Sequence, residues 1–150
     1  MEDKKCKPMI GRYPAKMDDK GRLFVPAKLR DALGGDFYVT IGANGSHRCL
    51  TVYTAEDFHT MESNYNALNV AKRSGASTLI FAFANRCVPD KQFRFPVTSE
   101  QIRWANLGQE VMIVGRAGQA EIWNNEEYAA FELENLSPEK LLASLEEIGL

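Results

Sequence analysis

The 150-residue sequence predicts a β-rich α+β fold built from two tandem copies of one βαββα unit, with further helices flanking them. Three echoes carry that prediction. DDKGRLFVPAKLR at 18–30 returns as DKQFRFPVTSEQIR at 90–103, FYVTIG at 37–42 returns as VMIVG at 111–115, and VYTAEDF at 52–58 returns as IWNNEEY at 122–128. The offset stays near roughly seventy residues, so the order loop, strand, helix, strand, strand, helix occurs twice. Asp18 pairs with Asp90 in this alignment, Arg22 with Arg94, Arg30 with Arg103, Gly42 with Gly115, Tyr53 with Trp123 and Phe58 with Tyr128.

Each element has a local reason. In each half a β-branched and aromatic run ends in Pro26 or Thr98, and a short amphipathic helix follows, with Gly34 or Gly108 expected to stop it. Pro26 suits a first helical position, where its missing N–H would have had no intrahelical partner. Two strands then form a hairpin, with Gly42, Asn44 and Gly45 as turn residues in one copy and Gly115 and Gly118 in the other. A capped helix follows each hairpin. Thr54 or Asn124 can accept the first-turn N–H groups, and Asp57 or Glu127 lies three residues on. Phe58, Met61, Tyr65 and Leu68 recur at helical spacing and read as a core stripe. ASTLIFAFAN at 76–85 reads as a buried helix crossing to the second unit, broken from its predecessor at Gly75. Ser137 and Pro138 open a last helix that carries Leu141, Leu142, Leu145 and Ile148 on one side and ends at Gly149; it packs either on the core or on a neighbouring subunit.

Composition bounds the function. No apolar stretch reaches the roughly 18 to 20 residues of a membrane helix, and the start lacks the apolar segment of a secretory signal, so a cytoplasmic protein is expected. Cys6, Cys49 and Cys87 are widely spaced and odd in number, which argues against a disulfide framework or a zinc site. Cys49 and Cys87, inside apolar runs, read as core filler. The formal net charge of −2 conceals an asymmetry. Residues 1–30 hold nine Lys or Arg and four acids, whereas residues 121–150 hold eight acids and one Lys. A basic front can attract phosphate locally despite a negative total, because salt screens charges beyond about 8 to 10 Å.

No nucleophile with a base, paired carboxylates or metal cluster has convincing spacing, so no enzyme, cofactor or small-molecule substrate is expected. His47 in a hairpin turn and His59 on a helix read as surface or packing residues. Asp18 and Asp19, adjacent in sequence, would point apart on a strand. The Asp18-Asp19-Lys20-Gly21-Arg22 turn suits DNA reading better. Gly21 permits a tight φ > 0 turn, Lys20 offers a point charge to phosphate, and Arg22 offers the planar fork that bonds guanine O6 and N7. Asp18 could hold that guanidinium in its reading rotamer. Asp90, Lys91 and Arg94 repeat the charges. On residues alone an Asp18 to Arg22 ion pair that only stabilises the turn is an equal alternative. Lys28, Arg30 and Arg103 are supporting positions; the two arginines could touch phosphate or pair internally with Asp18 and Asp90 across the short helix.

MIGRYPAKMDDKGRLFVPAKLR, the spacing to Cys49-Leu50-Thr51-Val52-Tyr53, FAFANRCVPD and EVMIVGRAGQAEIWNNEEY together resemble the MraZ family, bacterial regulators of the division and cell wall gene cluster. The resemblance covers about residues 9–135 and implies two AbrB-like (SpoVT-AbrB) units that pair within one chain as a pseudo-dimer. It divides the chain into an N-terminal extension at 1–12, a first unit at 13–55, a helical connector at 56–83, a second unit at 84–127 and a helical tail at 128–150. It also implies a homo-oligomeric ring that presents its loops to repeated promoter boxes, and a nucleoid-associated repressor of its own gene cluster. The family's Asp-x-x-Gly-Arg motif maps onto Asp18, Gly21 and Arg22, and in the second unit onto Asp90 and Arg94. Two departures stand out. Phe93 and Thr98 replace the family's Gly and Pro, so the second loop is expected to lose the turn and Arg94→Ala to weaken DNA binding less than Arg22→Ala. MEDKKCKP is either a short basic extension or an upstream start, with Met9 the alternative initiator. The alternative function is an AbrB-like protein-interaction or antitoxin-type module, which the capped C-terminal helix disfavours because such modules usually carry a disordered tail.

Overall fold

The structure, a computed structural model, describes residues 7–149; Cys6 and the beginning of the N-terminal extension lie outside the described residues. The first unit contains β1 (Arg12–Lys16), β2 (Arg22–Phe24), a 3-10 turn at Ala27–Leu29 that runs into α1 (Arg30–Leu33), then β3 (Phe37–Asn44), β4 (His47–Thr54) and α2 (Ala55–Ala67). A 3-10 turn at Val70–Lys72 and α3 (Gly75–Ala82) connect it to the second unit. That unit holds β5 (Asn85–Cys87), β6 (Arg94–Pro96), α4 (Ser99–Ala105), β7 (Glu110–Arg116), β8 (Gln119–Asn124), α5 (Asn125–Asn135) and finally α6 (Pro138–Ile148).

The strand order shows how the repeat becomes one body. Six antiparallel strands run β1-β7-β8-β4-β3-β5, and β2 pairs with β6 in a separate ribbon. The first strand of each unit therefore lies beside the hairpin of the other. The register is two-fold: Leu23 faces Phe95 in the ribbon and Thr51 faces Glu121 where the hairpins meet, so at both places a residue meets its own counterpart in the repeat. The sheet stays open between β1 and β5.

Period-two alternation sends side chains to two cores. Leu23, Val25, Phe95 and Val97 under the ribbon pack with Phe37, Val39, Leu50, Val52, Val111, Ile113 and Ile122 from the sheet, all buried. Each such side chain contributes about 1.5–3 kcal/mol on full burial. On the opposite face Trp123, Tyr128 and Phe131 stack beside Cys49 under α5, while Tyr38, Phe58 and Phe81 stack under α2 and α3. Cys49 and Cys87 are fully buried thiols, and burial pushes both up to about 12. They are core residues, as expected.

Close backbone approach explains Gly115. Met9, itself buried, exchanges both main-chain hydrogen bonds with Ala117 at 2.7 and 2.9 Å, and a Cβ on Gly115 would sit 2.5 Å from the Met9 carbonyl and the Ile10 nitrogen. Gly115 and Gly42 are thus strand residues and not turn residues. The hairpins turn at Gly45-Ser46 and Ala117-Gly118, with Gly45 and Ala117 in the left-handed region.

Other elements differ from expectation for identifiable reasons. Pro26 keeps an extended ψ of 136° and precedes the 3-10 turn without being its first residue. α4 stops at Asn106, whose φ of 53° makes it a left-handed cap before Gly108 is reached, whereas Gly34 does end α1. Gly75 starts α3 beneath a Ser74 cap, and α3 lies half-exposed on the sheet instead of buried, with Asn85 already in β5. Of the expected stripe on α2, Phe58 is buried, Met61 and Tyr65 are half-buried, and Leu68 lies beyond the helix, exposed. The caps at Thr54, Asn124 and Ser137 form as expected. Leu141, Leu142, Leu145 and Ile148 on α6 remain exposed and do not join the core.

Candidate nucleic-acid interface

The loop before β2 is organised by one carboxylate. Asp18 Oδ1 accepts the N–H of Lys20 and of Arg22, each at 2.9 Å, and Oδ2 accepts Arg22 Nε at 2.8 Å. The main chain closes the turn: Asp18 N–H donates to Arg22 O at 2.9 Å and Gly21 N–H donates to Asp18 O at 3.1 Å. Gly21 takes φ 74°, the left-handed region that glycine enters without a Cβ penalty.

The loop before β6 repeats this bonding atom for atom. Asp90 Oδ1 accepts the N–H of Gln92 and of Arg94 at 2.9 Å, and Oδ2 accepts Arg94 Nε at 3.1 Å. Asp90 N–H donates to Arg94 O and Phe93 N–H to Asp90 O, both at 2.9 Å. Phe93 occupies φ 63°. The expectation that Phe93 would forfeit the turn is therefore overturned. Arg30 from the other unit supplies the reason, since its guanidinium sits 3.7 Å over the Phe93 ring while its Nε donates to Val25 O at 3.1 Å.

That contact also corrects the alignment. A Cβ on Gly21 would point at the Ile102 methyl, 3.8 Å away, so Ile102 stands in one half where Arg30 stands in the other. The left-handed caps Gly34 and Asn106 follow at equal spacing. Arg103 is one residue farther along, exposed, and neither Arg30 nor Arg103 pairs with Asp18 or Asp90 among the described residues.

The ribbon joins the two loops. Arg22 lies opposite Pro96 and Arg94 opposite Phe24, so both arginines and the half-exposed Phe24 share its outer face while Leu23 and Phe95 fill the inner one. Val97 N–H donates to Gly21 O at 2.9 Å and Val25 N–H to Phe93 O at 2.8 Å, tying each loop to the other unit. Arg94 Nη1 approaches Asp18 at 3.9 Å across the boundary. Main-chain N–H groups of Arg22 and Arg94, aided by the other loop donors, hold the Asp18 and Asp90 carboxyls below their ordinary range. Each Nε is committed to its aspartate, the Nη groups make no hydrogen bond among the described residues, and the Arg22 and Arg94 side chains retain 28% and 25% exposure.

Lys20 and Lys91 are exposed on the loops, and Lys28 lies with Lys16 beside the Phe24 groove. Two features are not legible in the sequence. Phe24 joins the arginine face only through the pairing of β2 with β6, and the stack of Arg30 on Phe93 spans the two units. His47, expected to be a surface or packing residue, is buried, with Nδ1 on Glu127 and Nε2 on Glu134 at 2.8 Å. No group of three or more His, Cys, Asp or Glu is placed to hold a metal ion among the described residues.

Comparison with known proteins bears on this geometry. The family described as "MraZ protein, putative antitoxin-like" matches residues 9–78. Proteins named transcriptional regulator MraZ align over almost the whole chain. The one from Heliobacterium modesticaldum is 35% identical, with 93% of each chain covered; that from Caldicellulosiruptor saccharolyticus is 33% identical over 95% of this chain and 99% of its own. A third, from Halothermothrix orenii, is 31% identical over 94% and 99%. Overall identity above 30% in alignments that span almost the whole chain establishes that this chain belongs to the MraZ family of transcriptional regulators.

Proposed function

We propose that this chain binds DNA sequence-specifically through the two Asp-x-x-x-Arg loops and represses the division and cell wall gene cluster that includes its own gene, acting in the cytoplasm at the nucleoid. The observation that carries the proposal is the matched bonding of the loops. Asp18 and Asp90 fix the Nε edge of Arg22 and Arg94, which leaves on one face two oriented Nη forks of the kind that bond guanine O6 and N7 bidentately. Holding the fork in place beforehand reduces the ordering cost of binding. Lys20, Lys91 and Lys28 around the forks add sequence-independent attraction to phosphate. The two forks lie close together, so one chain offers a small footprint. Repeating it around a homo-oligomeric ring on repeated promoter boxes would convert weak contacts into avidity.

Footprinting on the DNA upstream of the gene tests the proposal. Wild-type protein is expected to protect repeated boxes. Because both loops hold the same turn, Arg22→Ala and Arg94→Ala are each expected to weaken operator binding by about 1–3 kcal/mol, a loss of roughly 5- to 150-fold, and to within a few-fold of each other. No protected repeats, or unaltered affinity in both variants, would refute it. A protein-interaction or antitoxin-type module would show no such protection.

A further inference from the structure

A second basic site lies away from the ribbon. The cleft between the tip of the β3–β4 hairpin and the C-terminal turn of α4 encloses about 430 Å³ and brings together Ser46, Arg48, Arg103, Trp104, Asn106 and Glu127. Its two arginines stand apart from the others of the chain. Every other arginine is engaged within the fold, five with carboxylates and two with main-chain carbonyls, whereas Arg48 and Arg103 have no hydrogen-bond partner among the described residues. Unpaired arginines scattered over a surface are solvated ends. Here both border one cleft, and one of them is held in place.

Arg48 lies with its guanidinium carbon 4.7 Å from the centre of the Trp104 ring. Trp104 is fixed in turn, because its Nε1–H donates to Gly42 O at 2.9 Å and to Cys49 O at 3.1 Å. A guanidinium stacked on an aromatic face keeps its in-plane N–H donors for a ligand and loses less freedom on binding one. The acid in the cleft is partly neutralised, since the Glu127 carboxylate bonds His47, which Glu134 shares, and the two arginines outweigh the single negative charge left on that triad. Ser46 adds a hydroxyl and Asn106 a side-chain amide.

We propose that this cleft binds a phosphate group, held by Arg48 and Arg103 with Ser46 and Asn106 as neutral donors. The phosphate belongs either to a DNA backbone or to a free phosphorylated small molecule. Arg103 follows Ile102, whose methyl lies toward Gly21, so the helix that carries Arg103 also packs against the first loop. The assignment goes beyond the loop reading and does not depend on it.

Three measurements test the cleft. In the first, operator and unrelated DNA are titrated with wild type and with Arg48→Gln/Arg103→Gln at several salt concentrations. If the source is DNA, the variant loses affinity equally on both sequences, and the slope of log K against log salt becomes shallower by about 0.9 for each phosphate contact removed. Loop variants, by contrast, lose discrimination between the sequences. In the second, inorganic pyrophosphate is titrated into the full-length wild type while the indole N–H resonances are followed. If the source is a soluble phosphate, the Trp104 signal shifts saturably and the Trp123 signal stays still. In the third, the pyrophosphate titration is repeated on the variant, where that shift is expected to vanish while the circular-dichroism spectrum stays that of the folded wild type. A salt slope unaltered in the variant, together with a wild-type Trp104 signal that does not move, overturns the assignment even if the loops bind DNA.

Discussion

At the scale of single residues, the two halves build one turn from different chemistry. Gly21 enters the left-handed region freely, whereas a residue with a Cβ such as Phe93 incurs roughly 1–2 kcal/mol there. The Arg30 guanidinium over the ring offsets part of that, since a cation–π contact at an accessible site contributes about 0.5–1 kcal/mol. The replacement of Gly by Phe was legible in the sequence as strain. Its relief was not, because the compensating arginine belongs to the other unit, and the sequence echo matches it with Arg103 in place of Ile102. Phe93→Ala keeps the strain and loses the stack, while Phe93→Gly loses both. The Gly variant is therefore expected to be more stable than the Ala variant by about 1–2 kcal/mol in urea unfolding. Equal stabilities would mean that the loop relaxes out of its turn. In a double-mutant cycle, Arg30→Ala is expected to destabilise the wild type by about 0.5–1 kcal/mol more than it destabilises Phe93→Ala.

At the scale of elements, helix beginnings were more legible than helix ends or helix burial. Thr54, Asn124 and Ser137 cap through their own side chains, a local chemistry that a sequence displays directly. The end of α4 at Asn106 and the half-exposure of α3 depend on how those helices meet the sheet, which composition does not encode. The attachment of α5 is a further case. His47 on β4 reaches Glu127 in the first turn of α5 and Glu134 in its last, and with a carboxylate on each ring nitrogen both nitrogens must donate, so the imidazolium is the form that fits. The bond to Glu134, then that to Glu127, raises the His47 pKa above its usual 6.5 despite the opposing effect of burial. A group whose folded pKa is raised contributes stability that is fully present below its unfolded value and is lost as the pH rises through the folded value. His47→Gln is accordingly expected to cost about 1–3 kcal/mol near pH 5.5, and the difference from wild type is expected to shrink as pH rises above neutrality. Urea melts of both proteins at pH 5.5 and 8.5 measure this. A cost that stays constant with pH would show that the imidazole holds α5 as a neutral group.

At the scale of the whole molecule, the repeat was visible in the sequence but the exchange of strands between its copies was not. Self-similarity shows that two units exist and is silent about which strand pairs with which. β1 lies on β7 along its full length, from Arg12 opposite Val114 to Lys16 opposite Glu110, and β5 lies on β3. Each unit thus lacks one strand of its own sheet segment and half of the β2–β6 ribbon, and the inner core draws on both. An isolated first unit with its connector, residues 1–83, would expose the hydrogen-bonding edges that β6, β7 and β8 occupy, along with Leu23, Val25, Leu50 and Val52. Since its own residues already meet their counterparts across a two-fold register, a second copy can take the place of the missing unit. The fragment is expected to sediment as a homodimer whose circular-dichroism signal fades on dilution, because folding and association would be one equilibrium. Full-length protein, with the two units joined, is expected to keep its secondary structure over the same dilution. A stable folded monomer of the fragment at micromolar concentration would mean that the paired strands are not required, and that the two-fold register joins units already complete.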